Sequence, residues 1–190
     1  MGLPSLALFS PEEYLQIESR SQEKHEYYDG HIIAMAGGSK AHGIIQVNII
    51  SGLSTRFREK KRPCRPFGSD TRAYVSDSKY FYPDVSVFCA EPDVDAQNNW
   101  RNPEIVIEIL SDSTASFDQN EKAAAYRQIP SLQELVLIDS RSKAISIFQK
   151  QADNAWLERS YDGKTNSVAI AGEELPLEEI YADVFDDLTP

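Results

Sequence analysis

Residues 104–110 read EIVIEIL, and their interpretation decides the fold. Five of the seven are Ile, Val or Leu, the composition of a strand buried in a sheet. Side chains alternate along a strand. Ile105, Ile107 and Ile109 therefore share one face, and Glu104, Val106, Glu108 and Leu110 share the other. Glu104 follows Pro103 and reaches solvent at the strand's start. Glu108 lies further in, where an ionised carboxylate costs several kcal/mol unless something compensates it. The rest of the chain has to supply that partner.

Two neighbouring stretches offer one. In YPDVSVF, residues 82–88, Asp84 follows Pro83 at the entry to a strand whose Val85 and Val87 point one way. If that strand lies beside residues 104–110, Asp84 and Glu108 face the same space. Two carboxylates about 5 Å apart repel by roughly 3 kcal/mol at an effective dielectric near 20. Such a pair holds either a proton or a cation, and a few anionic oxygens suit Mg²⁺ or Mn²⁺. In FDQNEKAAAYRQIP, residues 117–130, Asp118 reads as a helix N-cap and Glu121 as its capping-box partner. Lys122, Ala125, Tyr126 and Ile129 then form one stripe, the apolar face that packs on the sheet. A lysine on a buried helix face and a glutamate in a buried strand explain one another. That pairing alone is equally compatible with a purely structural ion pair.

The first helix opens with Ser10 as N-cap, Pro11 in the first turn, and Glu13 closing a capping box. It is expected to end near Glu18. HEYYDGHIIAMAGG, residues 25–38, reads as a hairpin turning at Asp29-Gly30. Ser39 opens a second helix with a broad apolar face of Ile45, Val47, Ile49, Ile50, Leu53 and Phe57, closed by Pro63. Strands are expected over residues 65–75, 82–88, 104–110, 134–138 and 144–148, with another near 155–163. A short helix and a turn should close the chain. The 190 residues read as a single mixed α/β domain (1–190), with helices packed on one central sheet.

Composition narrows the partners. The hydrophobic fraction of 41% supports a packed globule. No apolar run approaches the roughly 20 residues of a membrane span, and the first residues do not read as a secretory signal. Cys64 and Cys89, far apart and in no metal-binding spacing, read as free thiols of a reducing cytoplasm. A net charge of −11 argues against a general nucleic-acid coat. RFREKKRPCR, residues 56–65, is the local exception. Arg56, Arg58, Lys60, Lys61, Arg62 and Arg65 form either a solvated helix end or a phosphate-facing edge.

YPDVSVF, EIVIEILSDST and FDQNEKAAAY together resemble the PD-(D/E)XK nuclease superfamily, and more closely its Uma-type restriction endonuclease family. HEYYDGHIIAMAGGSKAH and ELVLID extend the resemblance over most of the chain. The family places Pro-Asp on one strand, Glu on the next, and a lysine displaced onto the following helix. Asp84, Glu108 and Lys122 match that pattern, and Leu110 stands where other branches of the superfamily carry the lysine. Asp112 replaces a proline common after the strand, and Glu104 takes a place often held by Asp. The resemblance implies a restriction-endonuclease-like core, a central mixed sheet flanked by helices, preceded by the N-terminal helix and hairpin. It implies a Mg²⁺- or Mn²⁺-dependent DNA endonuclease whose Asp84, Glu108 and Ile109 carbonyl hold the metal. Glu26 and His42 enter as auxiliary ligands or substrate contacts, and a homodimer as the expected assembly. The competing reading keeps the fold as an inactive interaction module.

Overall fold

The computed structural model describes residues 8–35, 37–111 and 117–185. Helix α1 (Pro11–Glu18) has the expected start: the Ser10 side chain accepts from the Glu13 amide, and Glu13 accepts from the Ser10 amide. The hairpin follows as β1 (His25–Tyr28) and β2 (His31–Ala34). Its turn needs positive φ at both central residues, and Asp29 (46°) and Gly30 (91°) supply it. Helix α2 (Lys40–Glu59) is capped by Ser39 and buries Ile45, Ile49, Leu53 and Phe57. Each such side chain contributes about 1.5–3 kcal/mol of burial. Val47 does not join that face; it is 64% exposed.

The strand expected over 65–75 is broken, and the one expected over 82–88 is shortened. The first divides into β3 (Arg65–Phe67) and β4 (Arg72–Ser76), separated by a turn in which the Thr71 amide bonds to the Gly68 carbonyl. The second keeps only β6 (Val85–Phe88), after Pro83, a residue that cannot donate to a ladder; β5 (Lys79–Phe81), on the other side of Pro83, lies outside the expected span. The break after β3 and the step through Pro83 each send the chain from one sheet to another. There are accordingly two large sheets where a single central one is expected. Strands β7 (Asn99–Trp100), β8 (Ile105–Leu110), β9 (Glu134–Asp139), β10 (Ile145–Lys150) and β11 (Trp156–Tyr161) complete them. The six-stranded sheet runs β11-β10-β9-β8-β6-β3, and the five-stranded sheet runs β2-β1-β5-β4-β7.

β8 occupies the middle of the six-stranded sheet, parallel to β9 and antiparallel to β6, with all six residues buried. The alternation read from EIVIEIL holds. Ile105, Ile107 and Ile109 join Val85, Val87, Val136 and Ile138 in the core under α2. Val106 and Leu110 join Leu135, Leu137, Phe81 and Tyr126 on the opposite face. There a π turn (Asp118–Lys122) runs into helix α3 (Ala123–Tyr126). Asp118 is not the N-cap of this segment; it lies inside the turn, with Phe117 at the cap.

A further hairpin, β12 (Ser167–Ile170) and β13 (Glu173–Pro176), and the short α4 (Leu177–Ile180) cover the far part of α2. Cys64 and Cys89 are not free thiols but form a disulfide. They flank the antiparallel pair β3–β6, whose register sets Arg65 opposite Phe88 and so brings the two cysteines together from 25 residues apart. The argument from free thiols to a reducing compartment therefore falls. Among the described residues no helix is long and apolar enough to cross a membrane. Asp112 lies outside the described residues.

Candidate active site

Five elements converge where the two sheets meet. The β6–β8 register pairs Val85 with Ile107, so Asp84, one residue earlier, stands opposite Glu108. Asp84 continues the ladder with its side chain: the Ile109 amide donates to Oδ2 at 2.7 Å. Its Oδ1 lies 2.9 Å from His42 Nε2, at the start of α2. Glu26 comes from β1, and its Oε1 accepts from the Tyr82 amide at 3.0 Å. Lys122, on the buried stripe of the helical segment, reaches Glu26 and Glu108.

The Lys122 ammonium is the centre of the cluster. Nζ lies 2.9 Å from Glu26 Oε1, 2.9 Å from Glu108 Oε1 and 3.5 Å from Asp118 Oδ1. It also sits 5.5 Å from the centroid of the Phe81 ring, whose face favours a cation. The Tyr126 hydroxyl donates to the same Glu108 oxygen at 2.6 Å. Glu26, Asp84, Glu108, Asp118 and Lys122 are all less than 9% exposed. Asp84, Glu108, Lys122, Glu26 and His42, picked out from the sequence, therefore lie in one constellation.

Charge in this chamber does not balance. Among the described residues four carboxylates meet one ammonium and one imidazole. Burial pushes the Glu108 carboxyl well above the usual range; Lys122 opposes that shift, and Asp84, Asp118 and Glu26 reinforce it. Burial disfavours the Lys122 charge, but Glu108, Glu26 and Asp118 outweigh it and the ammonium is held. Burial likewise lowers the His42 pKa, and the Asp84 carboxylate more than offsets it, so the net shift is upward. The surplus negative charge must be met by a proton or by an added cation.

Two members of the constellation differ from their sequence reading. Asp118 looks like an N-cap but contributes a carboxylate to the lysine, and Tyr126 looks like plain packing but binds Glu108. Their spacing was the available signal. Asp118, Lys122 and Tyr126 follow one another at intervals of four residues, so their side chains meet along one helical face.

The basic stretch lies elsewhere. Arg56 is 14 residues along α2 from His42, about 21 Å at 1.5 Å per residue. Arg56 forms a two-pronged pair with Glu179, and Lys60 and Arg62 both bond Glu173. Arg58, Lys61 and Arg65 are exposed.

Among the described residues no three His, Cys, Asp or Glu side chains gather as a ready-made metal ligand group. The donors nevertheless have the chemistry of a hard-cation site. Asp84 and Glu108 face one another, and Glu108 Oε2 accepts a long 3.4 Å contact from the Asp84 amide.

Residues 11–178 match the Uma2 family, described as "Putative restriction endonuclease". Two relatives come from Synechocystis. The protein slr1290 is 41% identical over 155 residues, 80% of each chain. The protein sll1609 is 37% identical over 160 residues, 83% of this chain and 89% of that one. Among solved structures, a DUF820 protein from Anabaena variabilis, described as a putative nuclease, superposes with a TM-score of 0.76. The alignment covers 93% of this chain and 99% of that one at 18% identity. The fold is restriction-endonuclease-like, as the family resemblance implies.

Proposed function

The chain belongs to the Uma2 family, and from that premise we propose that it is a divalent-metal-dependent endonuclease acting on DNA phosphodiester bonds. The observation that carries the proposal is the surplus of buried carboxylates around Asp84 and Glu108. A structural ion pair needs one acid per base; a chamber with more acids than bases is matched to an added cation.

Asp84, Glu108 and the Ile109 carbonyl are the residues that would hold Mg²⁺ or Mn²⁺. When bound, such an ion supplies a nucleophile at neutral pH and stabilises charge on the phosphate. His42 holds Asp84 Oδ1, which fixes the carboxylate plane. Lys122 is the chain's own cation at the reacting phosphate, where it orients the attacking water or offsets developing negative charge. Glu26 already accepts from Lys122 and the Tyr82 amide, so its role is to hold the lysine. With a net charge of −11 and a partly neutralised basic stretch, DNA affinity should be weak and salt-sensitive unless a homodimer doubles the contacts.

A second reading, an interaction module without cleavage, draws support from the ion pairs that engage Arg56, Lys60 and Arg62. Incubating supercoiled plasmid and single-stranded DNA with Mg²⁺ or Mn²⁺ separates the two. Endonuclease action gives metal-dependent nicking by the wild type that Asp84→Ala and Glu108→Ala both lose. Metal binding without any cleavage favours the module.

A further inference from the structure

We infer that Tyr126 is the positioning residue for Glu108: it fixes which carboxylate oxygen faces Asp84. The inference rests on the metal-binding reading above. A carboxylate's terminal torsion is broad, so strand β8 places Glu108 without setting the plane of its two oxygens. The donors set that plane. Tyr126 Oη and Lys122 Nζ both bind Oε1, at 2.6 and 2.9 Å. Oε2 is thereby turned toward Asp84, where its contact is the 3.4 Å approach of the Asp84 amide.

The two donors are not equivalent. Lys122 is shared among Glu108, Glu26 and Asp118, so its hold on Glu108 is divided. The Tyr126 hydroxyl carries a single proton, given to Glu108 alone. Its ring is fully buried and packs edge-on against Phe81 at 5.4 Å between centroids, so the hydroxyl does not wander. Removing that oxygen leaves Oε1 to the shared Lys122 alone and loosens the carboxylate's alignment with Asp84.

Tyr126→Phe keeps the ring and the packing and deletes only the donor. Mn²⁺ affinity is measured by isothermal titration for wild type, Tyr126→Phe and Tyr181→Phe, with folding checked by circular dichroism at the same temperature. Tyr181 is the control: it is also buried, in the cluster on the opposite face of the sheet from Glu108, and its hydroxyl lies 3.1 and 3.0 Å from the Asp139 and Ala144 carbonyls. The expected result is Mn²⁺ binding at least about 10-fold weaker in Tyr126→Phe and unchanged in Tyr181→Phe. Affinity within twofold of wild type in Tyr126→Phe overturns the inference and leaves the metal site standing. An equal loss in both variants assigns the effect to general destabilisation and also overturns it. If the wild type itself shows no saturable Mn²⁺ binding, the metal-binding reading fails and takes this inference with it.

Discussion

Two buried glutamates in this molecule have opposite surroundings. Glu173, on β13, is 1% exposed and is held by two cations, Lys60 at 2.6 Å and Arg62 at 2.8 Å. Glu108, on β8, is 3% exposed and shares a single lysine with two other carboxylates while facing a third. The Lys60 bond is the main influence holding the Glu173 pKa below the ordinary range, with Arg62 adding to it. Burial, reinforced by neighbouring acids, pushes the Glu108 pKa up. One cluster is saturated and ties the C-terminal hairpin to α2. The other lacks positive charge and has chemistry left to do.

The largest effect should come from removing the lone ammonium. Lys122→Met leaves Glu26, Glu108 and Asp118 without the ammonium they share, and its cost is expected at about 3–5 kcal/mol in urea denaturation. Adding Glu108→Gln should recover part of that loss, because unmatched charge causes it. A Lys122→Met protein as stable as wild type would mean that the acids are already neutralised.

Glu173→Gln should cost less, about 1–3 kcal/mol, and its signature is the pH dependence. A carboxyl whose folded pKa is depressed adds stability above its unfolded pKa, near 4.3, and loses it as pH falls through the lower folded value. Denaturation curves from pH 3 to 7 should therefore show a shallower acid-side fall in Glu173→Gln than in wild type. Parallel curves would remove Glu173 from the acid response.

The smallest change is expected for Arg58→Ala and Lys61→Ala. Both side chains are exposed, and stability should stay within about 0.5 kcal/mol of wild type. If these two cations form a phosphate-facing edge, the salt dependence of DNA binding flattens in the variants. An unchanged salt slope leaves the stretch as a solvated helix end.

The difference between the clusters also marks what the sequence made legible. Period-two alternation in EIVIEIL put Glu108 on one face of β8 and the isoleucines on the other, since strand geometry allows nothing else. Helical periodicity put Lys122 on the buried stripe. Both are local signals. The Glu173 cluster depends on a hairpin whose turn carries Ala171 at φ 56° before Gly172, without the Asn-Gly or Asp-Gly that marks such turns. The Cys64–Cys89 disulfide depends on β3–β6 register, a non-local fact. Asp118 was obscured by a local pattern: followed by Glu121, it imitates a capping box, while its carboxylate belongs to the lysine. Pro83 fell inside the strand expected over 82–88, and neither β5 before it nor the change of sheet there was legible from it.

Titrating Mn²⁺ into the wild type and into Asp84→Asn at neutral pH tests the central claim most directly. An acid-rich chamber built for a cation predicts one saturable binding event in the wild type and its loss in Asp84→Asn. No binding by the wild type, or equal binding by both, would contradict that account and leave the cluster as a buried ion pair with a shared proton.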